Sequence, residues 1–135
     1  MSPDIIRELH SARRAEKEQA LFYRALVTHA ENAGDTQVAE DLNGLHADEQ
    51  HHLSRLTVRL VEADQTVEDL GSVRMPETRY EGWETEARSR ELDEIARYER
   101  IAAQLLDSLT AALIVEILNA ERQHAETLGG KFMSA

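Results

Sequence analysis

Two stretches of the chain carry a glutamate and a histidine three residues apart, Glu49-Gln50-His51-His52 and Glu121-Arg122-Gln123-His124. On a helix that spacing puts both side chains on one face, so a carboxylate oxygen and an imidazole nitrogen can reach the same cation. Mixed oxygen and imidazole sets of this kind suit divalent iron, manganese or zinc. The pattern alone is weak, because with 6 histidines and many glutamates in 135 residues about one such pair arises by chance. A solvated helix face is the commoner home of a lone pair. Position along the helices has to carry the argument.

Ser2-Pro3-Asp4 supplies an N-cap, a first-turn proline and an acid at the positive helix end, so a first helix is expected from there to about Ala33, with Gly34 ending it. Leu9, Ala12, Glu16, Gln19, Ala20, Tyr23, Leu26, Val27 and Ala30 recur at helical spacing along one face. A second helix, capped by Asp35 or Thr36 and ending near Glu62 or Ala63, turns Val38, Leu42, Leu45, Glu49, His52, Leu53, Leu56 and Leu60 inward. From Ala63 to about Pro76 the periodicity lapses among turn formers, giving a connection long enough to run back along a helix. A third helix starts between Glu77 and Glu86 and is expected to reach Leu106, with Ala87, Glu91, Glu94, Ile95, Tyr98, Ile101, Ala102 and Leu105 facing in. The fourth begins at Asp107-Ser108 or Thr110, uses Leu113, Ile114, Ile117, Leu118, Glu121, His124, Ala125 and Leu128, and stops at Gly129-Gly130. The reading is an all-α single domain over 1–135: an antiparallel four-helix bundle of two helical hairpins, about 3–62 and 77–129, with a long crossover between helices 2 and 3.

Each inner face is broken in the middle by a glutamate: Glu16, Glu49, Glu91 and Glu121. An unpaired ionised carboxylate is strongly disfavoured there, so these four imply a site. They stand about 11 to 14 residues after the expected helix starts, within one turn of a common level. Glu16 and Glu91 are each followed seven residues later by a tyrosine, Tyr23 and Tyr98, so the chain reads as a duplicated hairpin. Four carboxylates and two imidazoles converging in a bundle form a ligand set for two adjacent divalent ions.

Composition narrows the rest. A net charge of −11 with dispersed Lys and Arg argues against nucleic acid as a partner. The absence of cysteine removes disulfides, iron–sulfur clusters and thiol chemistry. No stretch approaches the roughly 20 apolar residues of a membrane span and the first residues lack a signal-peptide pattern, so a cytoplasmic protein is expected. Tyr80 and Trp83 are expected to plug a bundle end or meet another subunit, and His10, His29, His46 and His51 to lie at the surface, with His46 one turn before Glu49 and within reach of supporting it.

Glu16…Tyr23, Glu49-x-x-His52, Glu91 and Glu121-x-x-His124 follow, in order and spacing, the pattern of the ferritin-like di-iron proteins. The fourth-helix run from Asp107 to His124 and Glu91-Leu92-Asp93 resemble bacterioferritin. That resemblance implies two iron ions per chain, Glu16 and Glu91 as terminal carboxylates, Glu49 and Glu121 as bridges, and His52 and His124 as one imidazole per iron. It implies oxidation of Fe(II) by O2, with Tyr23 as a redox-active neighbour, and a homo-oligomer, a dimer or larger. Two departures bear on it: Gln50 stands where bacterioferritin has its haem-ligating methionine, so no haem is expected, and no counterpart of the fifth helix of ferritin cages follows Gly130. Glu94 resembles the extra carboxylate of rubrerythrin, which makes H2O2 the competing oxidant and Glu94 a seventh candidate ligand. An electron donor, unidentified by sequence, would be needed for turnover. A bundle that only binds metal is the third reading.

Overall fold

In the computed structural model, which describes residues 1–129, four α-helices follow in order: α1 (Pro3–Asn32), α2 (Thr36–Glu62), α3 (Trp83–Ala102) and α4 (Ser108–Thr127). The local signals act as expected at the starts of α1 and α4, whereas Asp35, at the N-cap of α2, makes no side-chain capping bond. Ser2 accepts a hydrogen bond from the Ile5 amide ahead of Pro3, and Asp107 accepts one from the Thr110 amide, each satisfying a donor that the first turn leaves open. Gly34, at φ 76°, turns the chain from α1 into α2 in a conformation that a side chain would strain. The expected stop at Gly129-Gly130 agrees with the end of α4 as far as Gly129, and Gly130 and the tail lie outside the described residues.

α3 differs most from its expectation. It starts only at Trp83, after Gly82 at φ 75°, and ends at Ala102, so the link to α4 spans 103–107. Leu105, expected to face inward, is 97% exposed in that link, and Ala102 is exposed as well. Their spacing continued the helical period, but a period alone cannot tell a last turn from the link beyond it.

Neighbouring helices run antiparallel, as the paired residue numbers show. Tyr98 meets Glu16 while Tyr23 meets Glu91 between α1 and α3, and Arg55 meets Glu116 while His124 meets Glu49 between α2 and α4. The 63–82 crossover must therefore travel the length of the bundle. It does so along the first hairpin: Arg13 donates to the Glu68 carbonyl, His29 pairs with Thr78, and Tyr80 donates to Asp35.

The apolar core is in two parts. One, with Leu9, Leu56, Leu60, Ile101, Ile114 and Ile117, fills the end near the α3–α4 link. The other, with Phe22, Leu26, Leu42, Trp83 and Leu128, fills the opposite end, so Trp83 is the bundle-end plug expected of it. Between them lies a layer of buried polar side chains, Glu16, Glu49, His52, Glu91, Glu94, Glu121 and His124. Among the described residues no helix is long and apolar enough to cross a membrane.

Candidate metal centre

The layer forms because every helix places its glutamate on the stripe that packs inward, where hydrophobic neighbours above and below fix the helix rotation. Glu16, Glu49, Glu91 and Glu121 are each 0% exposed, and His52 and His124 reach the same level from the next turn of α2 and α4. Two sets of four side chains have ligand atoms within 4.8 Å of one another: Glu16, Glu49, His52 and Glu121, and Glu49, Glu91, Glu121 and His124. Glu49 and Glu121 belong to both. His52 Nδ1 is 3.6 Å from Glu16 Oε2 and 3.4 Å from Glu121 Oε1. His124 Nδ1 is 3.2 Å from Glu49 Oε1, 3.3 Å from Glu121 Oε1 and 3.6 Å from Glu91 Oε1. The two imidazoles stack 6.4 Å apart.

Each tyrosine reaches across to the other hairpin. Tyr98 donates to Glu16 Oε1 at 2.7 Å, and Tyr23 donates to Glu91 Oε1 at 2.5 Å, with Gln19 Nε2 adding a longer bond at 3.4 Å. In antiparallel helices an offset of seven residues carries the tyrosine of one helix to the level of the other's glutamate. The repeated Glu-x6-Tyr spacing was therefore the sequence signal for this pair of bonds.

The electrostatics are those of carboxylates and imidazoles crowded together away from water. Burial, then the charges of Glu16, Glu121 and Glu91, push Glu49 well above the carboxylate range. Burial also raises Glu91, which contact with His124 limits to about 7. Burial would lower both histidines, but it is outweighed by their carboxylate contacts, Glu121 foremost, which lift His52 to about 9 and His124 to about 11. Glu121, between the two imidazoles, is held below its ordinary range although burial opposes this. Glu16 Oε2, both oxygens of Glu49 and Glu121, Glu91 Oε2, and both imidazole Nδ1 atoms are buried without a hydrogen-bond partner. Orphaned buried polar atoms carry a full desolvation penalty, about 1–3 kcal/mol each or more when charged. A layer in which all of these point at one another could hold metal, and its oxygen and nitrogen donors suit divalent cations.

Every sequence-derived candidate but Glu94 thus sits in the two foursomes or, as Tyr23 does, bonds directly to a member. Glu94 is 7% exposed with its Oε2 unpartnered, and Arg97 Nε is 4.0 Å from its Oε1. It lines a cavity of about 180 Å³ between α1 and α3, shared with Glu18, Gln19, Arg90, Asp93 and Arg97. Burial, then Glu16 and Glu121, raise it to about 9. Asp48 escaped sequence reading: its carboxylate Oδ2 lies 2.8 Å from His124 Nε2. An acid directly before a glutamate has no periodic signature. His46 is half-buried and bonds through Nδ1 to the Ala20 carbonyl, tying α2 to α1.

The four antiparallel helices, the long crossover and the polar layer at mid-height define a ferritin-like four-helix bundle. The solved structures it is similar to include two of Mycobacterium tuberculosis bacterioferritin, BfrA. Both superpose with a TM-score of 0.84, at 22% and 23% identity, covering 96% of this chain and 84% and 83% of theirs. No protein-family model and no curated protein matches the chain.

Proposed function

We propose that the protein is a di-iron oxidoreductase that oxidises Fe(II) with O2. The observation that carries this reading is the pair of buried foursomes sharing Glu49 and Glu121. Glu16 and His52 would hold one ion, Glu91 and His124 the other, and Glu49 and Glu121 would bridge them. When bound, the two ferrous ions supply the two electrons that, with two protons, reduce O2 to H2O2. The chain's own residues do the rest. Tyr23 and Tyr98 fix the rotamers of Glu91 and Glu16, the two apolar ends keep bulk water from the layer, and Glu49 and the histidines yield protons as cations arrive. Tyr23, whose hydroxyl donates to Glu91 Oε1 at 2.5 Å, would be the redox-active neighbour of the site, outside the two-electron balance above.

The reading extends to the single domain 1–135, to two iron ions per chain with manganese or zinc as substitutes and no haem, to a cytoplasmic setting, and to a redox partner that returns electrons. Val58, Val61, Leu109 and Val115, each at least half exposed on α2 and α4, support a homo-oligomer, a dimer or larger. A peroxide-reducing function is favoured by one observation, the buried Glu94, whose Oε2 has no hydrogen-bond partner, beside a surface cavity. A purely metal-binding role needs no oxidant at all.

Anaerobic loading with Fe(II), followed by O2 or H2O2 and watched by absorbance and oxygen uptake, separates the three. The expected result is about two Fe per chain and rapid O2 consumption that Glu91→Ala abolishes. If H2O2 reacts orders of magnitude faster and Glu94→Ala removes that preference, peroxide is the substrate. If neither oxidant reacts, only binding remains.

A further inference from the structure

The duplication that exchanges Glu16 with Glu91, Tyr23 with Tyr98, Glu49 with Glu121 and His52 with His124 breaks at Gln19, whose counterpart is Glu94, and again behind the imidazoles. His124 turns Nδ1 toward the carboxylates and presents Nε2 to Asp48 Oδ2 at 2.8 Å. Asp48 stands on α2 immediately before Glu49. The position that the duplication pairs with it, on α4 immediately before Glu121, is Ala120, which has no hydrogen-bonding side chain. The two foursomes match in their carboxylates and imidazoles but not in what stands behind the imidazoles.

That difference has a direct consequence for metal binding. A carboxylate accepting the Nε2–H of an imidazole selects the tautomer whose Nδ1 lone pair is free, and it stops the ring from rotating that lone pair away. His124 is held in this way before any ion arrives, whereas Ala120 leaves no such partner for His52. Asp48 is 57% exposed, so its influence rests on the orientation of a ring that is itself buried rather than on a strong field.

We propose that Asp48 is a positioning residue that makes the Glu49, Glu91, Glu121 and His124 position the tighter of the two, filled first by a divalent cation, with the Glu16, Glu49, His52 and Glu121 position filling second. The inference rests on the dinuclear reading above. Partners behind metal-bound histidines are worth about 10–100-fold in metal affinity, and a gap of that order is expected between the two steps.

Anaerobic titration of the full chain with Co(II), which needs no oxidant and reports each site by its visible absorbance, tests this. Wild type should show two resolved steps. Asp48→Ala should weaken the first by about 10–100-fold and leave the second within about 3-fold. Asp48→Asn, which keeps an acceptor oxygen, should recover part of the loss. Ala120→Asp, which supplies the missing partner, should tighten the second step. The exchangeable imidazole N–H resonance of His124, shifted by Co(II), should persist in wild type and disappear by solvent exchange in Asp48→Ala, a change that mere helix destabilisation does not produce. Two equal steps in wild type, or equal weakening of both steps in Asp48→Ala, would overturn the proposed order while leaving the dinuclear site intact. Fewer than two ions bound to wild type would overturn the dinuclear reading and this order with it.

Discussion

Filling the polar layer with metal must drive protons out of it. At pH 7 the imidazoles of His52 and His124, raised to about 9 and about 11, are both cationic. Glu49 is pushed up by burial and by three neighbouring carboxylates, and Glu91 is raised to about 7, so both hold their protons more tightly than ordinary carboxyls. Glu121 is already ionised. Ligation through Nδ1 and carboxylate oxygen needs neutral imidazoles and ionised carboxylates, so two ions displace the two imidazolium protons, about two at pH 7, and carboxyl protons with them. The overall constant for the pair should then climb by at least about two powers of ten per pH unit around neutrality. Calorimetric titration with Zn(II), which avoids oxidation, in buffers of different ionisation enthalpy reads the number directly as the slope of observed heat against buffer heat. A slope of one proton or fewer would refute the reasoning, because it would mean that the metal-free layer is already deprotonated and that burial does not govern its charge.

Two further outcomes follow from the same geometry. The metal-free protein should lose stability as pH rises. Glu49, Glu91, Glu94, His52 and His124 all have folded-state values above their ordinary ones, so the stability they confer is complete below the ordinary values and drains away as pH rises through about 7 to 11; Glu121, held below its ordinary value, changes its contribution only in acid and does not offset this. Its Tm should be roughly 5 to 10 °C lower at pH 9 than at pH 6, and an apo protein that melts higher at pH 9 would contradict this. Tyr98→Phe leaves Glu16 Oε1 without its buried donor and should cost about 1–3 kcal/mol in urea unfolding of the apo protein. An unchanged midpoint would show that the bond contributes nothing net.

The site was more legible in the sequence than the elements around it. Glu16, Glu49, Glu91 and Glu121 announced themselves because an ionisable group in an apolar stripe is costly, and the two Glu-x-x-His pairs could be placed by helical spacing alone. Helix 3 shows where such reasoning is weakest. Its start was open over nine residues, and its level was judged from Glu77, whereas the helix begins at Trp83. Glu91 reaches the common level because packing, not distance from the helix start, sets its height. Leu105 was placed inside by period and stands in solvent, since nothing local distinguishes the final turn of α3 from the link that follows. Asp48 and the cavity beside Glu94 depend on which helices meet, which is tertiary information.

No half of the chain owns a full set of donors. The first hairpin carries Glu16, Glu49 and His52 and must borrow Glu121, while the second carries Glu91, Glu121 and His124 and must borrow Glu49. During synthesis the first hairpin leaves the ribosome long before α4 exists. A nascent chain therefore offers three donors where four are needed, and a redox-active ion meets a complete pocket only after the last helix has docked. On the proposed reading, the order of translation itself keeps oxygen chemistry away from a half-made protein.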